Sequence, residues 1–195
     1  MARVYQALKA RVMAGEFAPG ERIDPARLSA DLSASATPIR DALHRLAGER
    51  LVENWQHEGF RQPIVTEASL RYLYGWSDDL VRIILRVAAR GSQSSASLIV
   101  RHHDAPVASI ALFEWLATLS PSQEHRAAMM SLNDRCHALR VIEEQLIGPP
   151  DTEALGAAIQ TGNFGEARRW SAGYHASRLR RLPELAAHFR PREIV

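Results

Sequence analysis

A chain of 195 residues with 46% hydrophobic content can bury a sizeable core, in one domain or two small ones. Its formal net charge of +2 excludes attachment to nucleic acid by bulk charge, so any such contact must come from basic groups placed locally. The single cysteine, Cys136, excludes an internal disulfide framework and fits a reducing compartment.

The longest apolar run, Val107 to Leu119, is interrupted by Glu114 and too short for a bilayer. Met1 to Tyr5 lead into no apolar core with a cleavage site, so no signal peptide is read. A cytoplasmic chain that makes no membrane contact is expected. Lys9 is the only lysine, and an arginine-dominated basic set suits bidentate contacts to phosphate and guanine.

The apolar period of Val4, Leu8, Val12 and Met13 predicts a first helix that Gly15 stops, with a turn at Pro19-Gly20. Asp24-Pro25 reads as an N-cap followed by a proline at the first helical position, opening a second helix through Leu28 and Leu32. Ser33-Ala34 is a tight turn. Beyond it Ile39, Ala42, Leu43 and Leu46 recur at helical spacing and make one buried face of a third helix. Ser35 or Thr37 can cap that helix, and Pro38 falls in its first turn.

The opposite face carries Thr37, Arg40, Asp41 and His44, with Arg45 at its edge. A helix start that presents hydroxyls, open amides and arginines together suits phosphates and base edges. Three short helices with a tight turn between the second and third form a helix-turn-helix, and its third helix is expected to read double-stranded operator DNA. Arg27 in the second helix and Ser35 with Ala36 at the turn complete the set expected at the duplex.

Strand-like runs Leu51 to Trp55 and Phe60 to Val65 flank Gln56-His57-Glu58-Gly59 and predict a β-hairpin. Such a hairpin would be a wing, with His57, Gly59 and Arg61 near a tip that can enter a minor groove or rest on the backbone. Pro63 then requires its strand to lie on an edge.

From Thr66 onward only helices are expected. The first carries Leu70, Leu73, Leu80, Val81, Ile84, Leu85 and Ala88 inward to Gly91, and a polar linker runs from Gly91 to Ser97. Helices over about 106–119 and 123–147 follow, the second with Met129, Leu132, Cys136, Leu139, Ile142 and Leu146 on one face. Gly148-Pro149-Pro150 ends it, Asp151 caps a short helix to Thr161, and Gly162-Asn163 turns into a last helix that Pro183 kinks or restarts. The fold class is mainly α: a winged helix-turn-helix of three helices plus a β-hairpin over 1–65, then an all-α helical bundle over 66–195.

The first 65 residues resemble the winged-helix domain of the GntR family of bacterial transcription regulators. The likeness runs from Ala14 through Pro19-Gly20 to Ile23, then Leu28-Ser29, Thr37-Pro38-Ile39-Arg40-Asp41-Ala42-Leu43-His44-Arg45-Leu46, Leu51-Val52-Glu53 and Gly59-Phe60. The resemblance implies that Ser35, Thr37 and Arg40 touch DNA and that Gly59 marks the wing tip. Relatives usually place an arginine where this chain has Ala36, which removes a contact worth on the order of 1–3 kcal/mol and alters or weakens operator choice.

The helical remainder is similar, more loosely, to the FCD effector domain of the FadR subfamily, chiefly over Asp151 to Tyr174. Many such domains hold a divalent metal through an aspartate and three histidines. Here Thr152 and Tyr174 occupy two histidine positions, with His175 one place off. Neither Ile110 with Glu114 nor Asn133 with His137 reproduces the Asp-x-x-x-His element. A divalent metal is the one cofactor the resemblance raises; with these departures none is expected.

His102-His103-Asp104 reads as a polar loop, since adjacent residues point apart. Cys136-His137 could pair as nucleophile and base, but Cys136 lies on an apolar stripe and no partner acid or oxyanion donor can be placed, so an enzyme is not expected. An effector pocket would draw on Arg82, Arg86, His137, Trp170, Tyr174 and His175, an inward arginine being the natural partner of a carboxylate. These readings converge on a homodimeric repressor that senses a small, carboxylate-bearing metabolite. The alternative is a regulator whose helical domain only dimerises.

Overall fold

A computed structural model describes residues 2–91 and 108–189. The chain divides into two compact units, one built on residues up to Thr66 and the other spanning Glu67–Ala186. Each is taken by itself. Residues 92–97 of the polar linker and His102-His103-Asp104 lie outside the described residues.

The first unit runs α1 (Ala2–Met13), β1 (Arg22–Ile23), α2 (Pro25–Leu32), α3 (Ala36–Gly48), β2 (Glu53–Trp55) and β3 (Gly59–Arg61). Asp24 caps α2 by accepting from the Ala26 amide at 2.8 Å, with Pro25 at the first helical position. Ser33 closes the turn in the left-handed conformation (φ 48°), its amide donating to the Ala30 and Ser29 carbonyls. α3 packs against both α1 and α2 through Ile39, Ala42, Leu43 and Leu46, all buried with Leu8, Val12, Ile23, Leu28 and Phe60.

The small sheet has order β1-β3-β2, antiparallel throughout, with Ile23 opposite Phe60 and Asn54 opposite Phe60. β1 was not anticipated from the sequence: two residues are too few to show an alternation. Its presence makes β3 the central strand, not the outer one expected. Pro63 is tolerated because β3 ends at Arg61 and the last pairing with the Gly20-Glu21 segment runs through Gln62, whose amide donates to the Glu21 carbonyl.

The second unit comprises α4 (Glu67–Ala88), α5 (Ala108–Thr118), α6 (Gln123–Arg135), α7 (His137–Ile147), α8 (Thr152–Gln160), α9 (Phe164–Arg180) and α10 (Leu182–Ala187). α4 lies along α9 and touches α6, while α5 packs on α6 and α8 on α9. Side-chain caps at Ser122, Asp151 and Asn163 fix the starts of α6, α8 and α9. Pro183 is the second residue of α10, where its missing N–H costs nothing, so the chain restarts there.

The single helix expected over 123–147 is two. Cys136 separates α6 from α7 at φ −91°, ψ 0°, with no proline or glycine to force the break. Past it Leu139 is buried as expected, but Arg140 and Glu143 are buried beside it, while Ile142 and Leu146 are only half-buried. The hydrogen bonds and ion pair those two buried side chains make inside the unit, described below, override the apolar period that predicted a continuous helix.

Candidate nucleic-acid interface

The exposed side of α3 begins at Ser35, whose side chain makes no capping hydrogen bond. A helix whose N-cap hydroxyl is uncommitted leaves first-turn amides open to another acceptor, and the helix dipole favours an anion there. Thr37 lies inside α3, so Ser35 rather than Thr37 holds the N-cap position.

Thr37, Arg40 and His44 are exposed along one face, and Arg27 is exposed on α2. Among the described residues no carboxylate lies within ion-pair distance of Arg40 or Arg27, so both guanidinium forks are open. Ala36 is half-buried at the start of α3. His44 keeps an exposed edge while its ring meets Phe60 edge-on at 4.9 Å, fastening α3 to β3.

Arg45 and Arg61 behave differently. The Arg45 guanidinium lies 3.8 Å from the Tyr5 ring centroid and its Nε donates to Glu49 at 3.2 Å. Glu49 also accepts from the Tyr5 hydroxyl at 2.6 Å and from Lys9 at 3.0 Å. Partial burial raises the Glu49 carboxyl, but these donors outweigh it and hold the group below its ordinary value. Arg45 thus braces α3 to α1. Arg61 donates to the Gly20 carbonyl at 3.2 Å and to Glu58 at 3.1 Å, and sits 5.2 Å from the Trp55 ring, which makes it an internal fastener of the hairpin.

At the tip, exposed His57 is left-handed (φ 66°) and Gly59 follows at φ +85°, a conformation that a side chain would strain. Sequence reasoning missed Arg50, exposed at φ 60° just past α3, and Trp55, exposed on β2. No periodic signal marks either.

In the second unit Trp170, Tyr174 and His175 come together. Trp170 stacks on Tyr174 at 5.3 Å between centroids, and Tyr174 meets His175 at 5.0 Å. His137 is half-buried, and its pKa is lowered by desolvation. Arg82 and Arg86 stay outside: both are exposed on α4, and Arg82 pairs with Asp78 at 2.6 Å.

The arginines inside are Arg140 and Arg178, which sequence reasoning missed. The signal was register: Arg178 continues the buried series Ala167, Ser171, Tyr174, His175 of α9. Glu143, 1% exposed, accepts from the Tyr74 hydroxyl, from the Tyr174 hydroxyl at 3.2 Å and from Arg178 Nε at 3.3 Å. Arg140 donates to Asn133 and lies 4.0 Å from the Phe113 ring. Burial and the Glu143 charge push both tyrosine hydroxyls well above their ordinary range.

His175 is neutral. The Ser171 carbonyl at 2.8 Å can only accept, so Nδ1 carries the proton and Nε2 accepts from Ser77 Oγ at 2.9 Å. Desolvation is the main cause of a pKa lowered to about 4, with the Arg140 and Arg178 charges adding to it, while the Ser171 carbonyl and Asp78 oppose it. The unfolded chain takes up this proton near pH 6.5 and the folded one only near pH 4. The second unit should therefore lose stability as pH falls through that window, by up to about 3 kcal/mol in all. Urea titrations at pH 7 and pH 4.5 measure the loss, and His175→Gln should flatten it.

Cys136 is buried, and desolvation pushes its thiol up to about 11, so it cannot serve His137 as a nucleophile. Among the described residues no group of three or more His, Cys, Asp or Glu side chains could hold a metal ion, and no helix is long and apolar enough to cross a membrane.

Residues 1–61 match the family of bacterial regulatory proteins described as the gntR family. The Nta operon transcriptional regulator of Aminobacter aminovorans is 32% identical over 85 residues, 44% of this chain and 40% of that protein. The HTH-type transcriptional repressor GlaR of Escherichia coli K12 is 26% identical over 101 residues, 51% of this chain and 46% of that protein. The matched stretches span less than half the length of these two relatives, a transcriptional regulator and a transcriptional repressor by name.

Among solved structures, a GntR transcriptional regulator of Rhodococcus sp. RHA1 is similar at TM-score 0.72 and 19% identity, covering 97% of this chain and 98% of that one. McbR/YncC of E. coli is similar at TM-score 0.65 and 18% identity, covering 94% and 96%. At such identities the likeness is one of fold. Residues 1–61, the stretch that carries the open-faced α3 and its hairpin, are thus the part of the chain similar to the gntR family of bacterial regulatory proteins.

Proposed function

We propose that the chain is a DNA-binding transcription regulator of the GntR type. It acts in the cytoplasm as a homodimeric repressor under the control of a small carboxylate effector. The observation that carries this reading is Arg40, exposed and unpaired among the described residues on the open face of α3 beside the free hydroxyl of Ser35. Arg27, Ser35, Thr37, Arg40 and His44 address the duplex, with His57 and Gly59 at the wing tip, and Ala36 leaves a gap in that set. Arg45 and Arg61 hold the frame.

The domain boundary lies near Thr66, and the helical domain behind it is of the FCD kind. A single winged helix makes few base contacts, so useful affinity needs two heads on two half-sites, joined by a dimer that makes the second contact intramolecular. An effector that alters the spacing of the heads needs a coupling of only about 1–3 kcal/mol for 5–150-fold release.

Selection of binding sites from random duplexes with the full chain tests this. A pair of related half-sites should be enriched and retarded in gels less strongly as salt rises. No enrichment would refute it. The second reading, a helical domain that only dimerises, draws on the absence of a metal-ligand cluster among the described residues. It fits a chain whose DNA affinity no small molecule changes.

A further inference from the structure

The exposed face of α3 carries a carboxylate as well as its arginine. Asp41 is exposed, and among the described residues it has no hydrogen bond and no ion pair. Thr37 lies four residues before it and His44 three after, so the three share one side of the helix, with exposed Arg40 next along the chain. Arg45 follows Asp41 at the spacing that favours an ion pair along a helix, yet its guanidinium is drawn away. Its Nε donates to Glu49 at 3.2 Å, and the group lies 3.8 Å from the Tyr5 ring centroid. Asp41 also falls beyond the first turn of α3, so neither capping nor the helix dipole accounts for a negative charge there.

On a face that meets phosphates, an uncommitted carboxylate weakens binding to every duplex alike. It is useful only against a base that offers it a donor. In the major groove guanine presents N7 and O6 and thymine O4, all acceptors that repel a carboxylate, while adenine sets its acceptor N7 beside the amino group. Cytosine alone shows an amino donor with no acceptor of its own next to it.

We propose that Asp41 is a specificity-determining residue of α3, accepting a hydrogen bond from the N4 amino group of a cytosine in each half-site and rejecting the other three bases there. The inference rests on the DNA-binding reading above and gives that helix an acidic reader beside its basic one. The Arg40 guanidinium fork suits guanine and the Asp41 carboxylate suits cytosine, so adjacent residues of opposite charge read different bases.

The test repeats selection from random duplexes with the full native chain, Asp41→Ala and Asp41→Asn, and measures gel retardation of the selected duplexes and of a random-sequence duplex. The native chain should require cytosine at one position of each half-site and bind a duplex substituted there roughly 10-fold or more weakly. Asp41→Ala should accept any base at that position and keep the remaining sequence preference. It should also bind the random duplex several-fold more tightly, because a charge of the phosphates' own sign has left the face. Asp41→Asn should change the preference to adenine, since an amide donates to N7 and accepts from the N6 amino group. Both variants should melt with the native chain, as no hydrogen bond or ion pair among the described residues is lost.

The proposal is overturned if either variant selects the native sequence unchanged, if both lose affinity for all duplexes equally, or if either melts well below the native chain, which would make Asp41 a structural residue. If the native chain itself selects no sequence, the DNA-binding reading falls and the proposal with it. Selective retardation by the native chain that survives Asp41→Ala at every position sinks the acidic reader alone.

Discussion

Replacing Arg40 by alanine is expected to weaken binding of a selected duplex by about 30-fold or more while leaving the melting curve unchanged. Arg40 is exposed and unpaired among the described residues, so its removal breaks no internal contact. A bidentate arginine contact to guanine discriminates by about 1–3 kcal/mol, and a dimer loses it twice, for about 2–6 kcal/mol in all. Arg45→Ala should do the reverse. Its side chain stacks on Tyr5 and bonds to Glu49, so the change should cost a little stability and much less DNA affinity. Gel retardation and thermal denaturation of both variants decide it, and equal losses of affinity would place the wrong face of α3 at the duplex.

The largest stability effect belongs to Glu143→Ala. That carboxylate is the shared acceptor of Tyr74, Tyr174 and Arg178, and its loss takes away the counter-charge paired with the buried Arg178. Breaking a buried pair by removing one partner costs about 3–5 kcal/mol. For a unit of this size that corresponds to a fall of roughly 10–20 °C in melting temperature. A Glu143→Ala protein that melts within a few degrees of the native chain would mean that the network contributes little in solution.

The amino-terminal unit was legible because its signals are local. Asp24-Pro25 specifies a cap and a first turn, Ile39, Ala42, Leu43 and Leu46 specify a buried face, and the polar residues between them fall outward by geometry alone. What escaped notice there was non-local. The pairing of Arg22 and Ile23 with β3, and the engagement of Arg45 by Tyr5 forty residues earlier, depend on contacts that no window of sequence contains.

In the helical unit the same limit cuts deeper. Exposed Arg82 and Arg86 and buried Arg140 and Arg178 are the same residue type at helical spacing. Only the packing of α4, α7 and α9 decides which guanidinium is desolvated. The turn at Cys136 carries no breaker residue, so apolar periodicity ran straight through it and set Ile142 and Leu146 on the buried face in place of Arg140 and Glu143.

Whether α3 lies in a DNA groove can be read by crosslinking. A selected duplex carrying 5-bromouracil at successive half-site positions would be irradiated with the full chain and the attached peptides sequenced. Attachment within residues 35–44, lost from the same positions in Arg40→Ala, is the expected result. Attachment confined to the unit Glu67–Ala186, with none on α3, would contradict it.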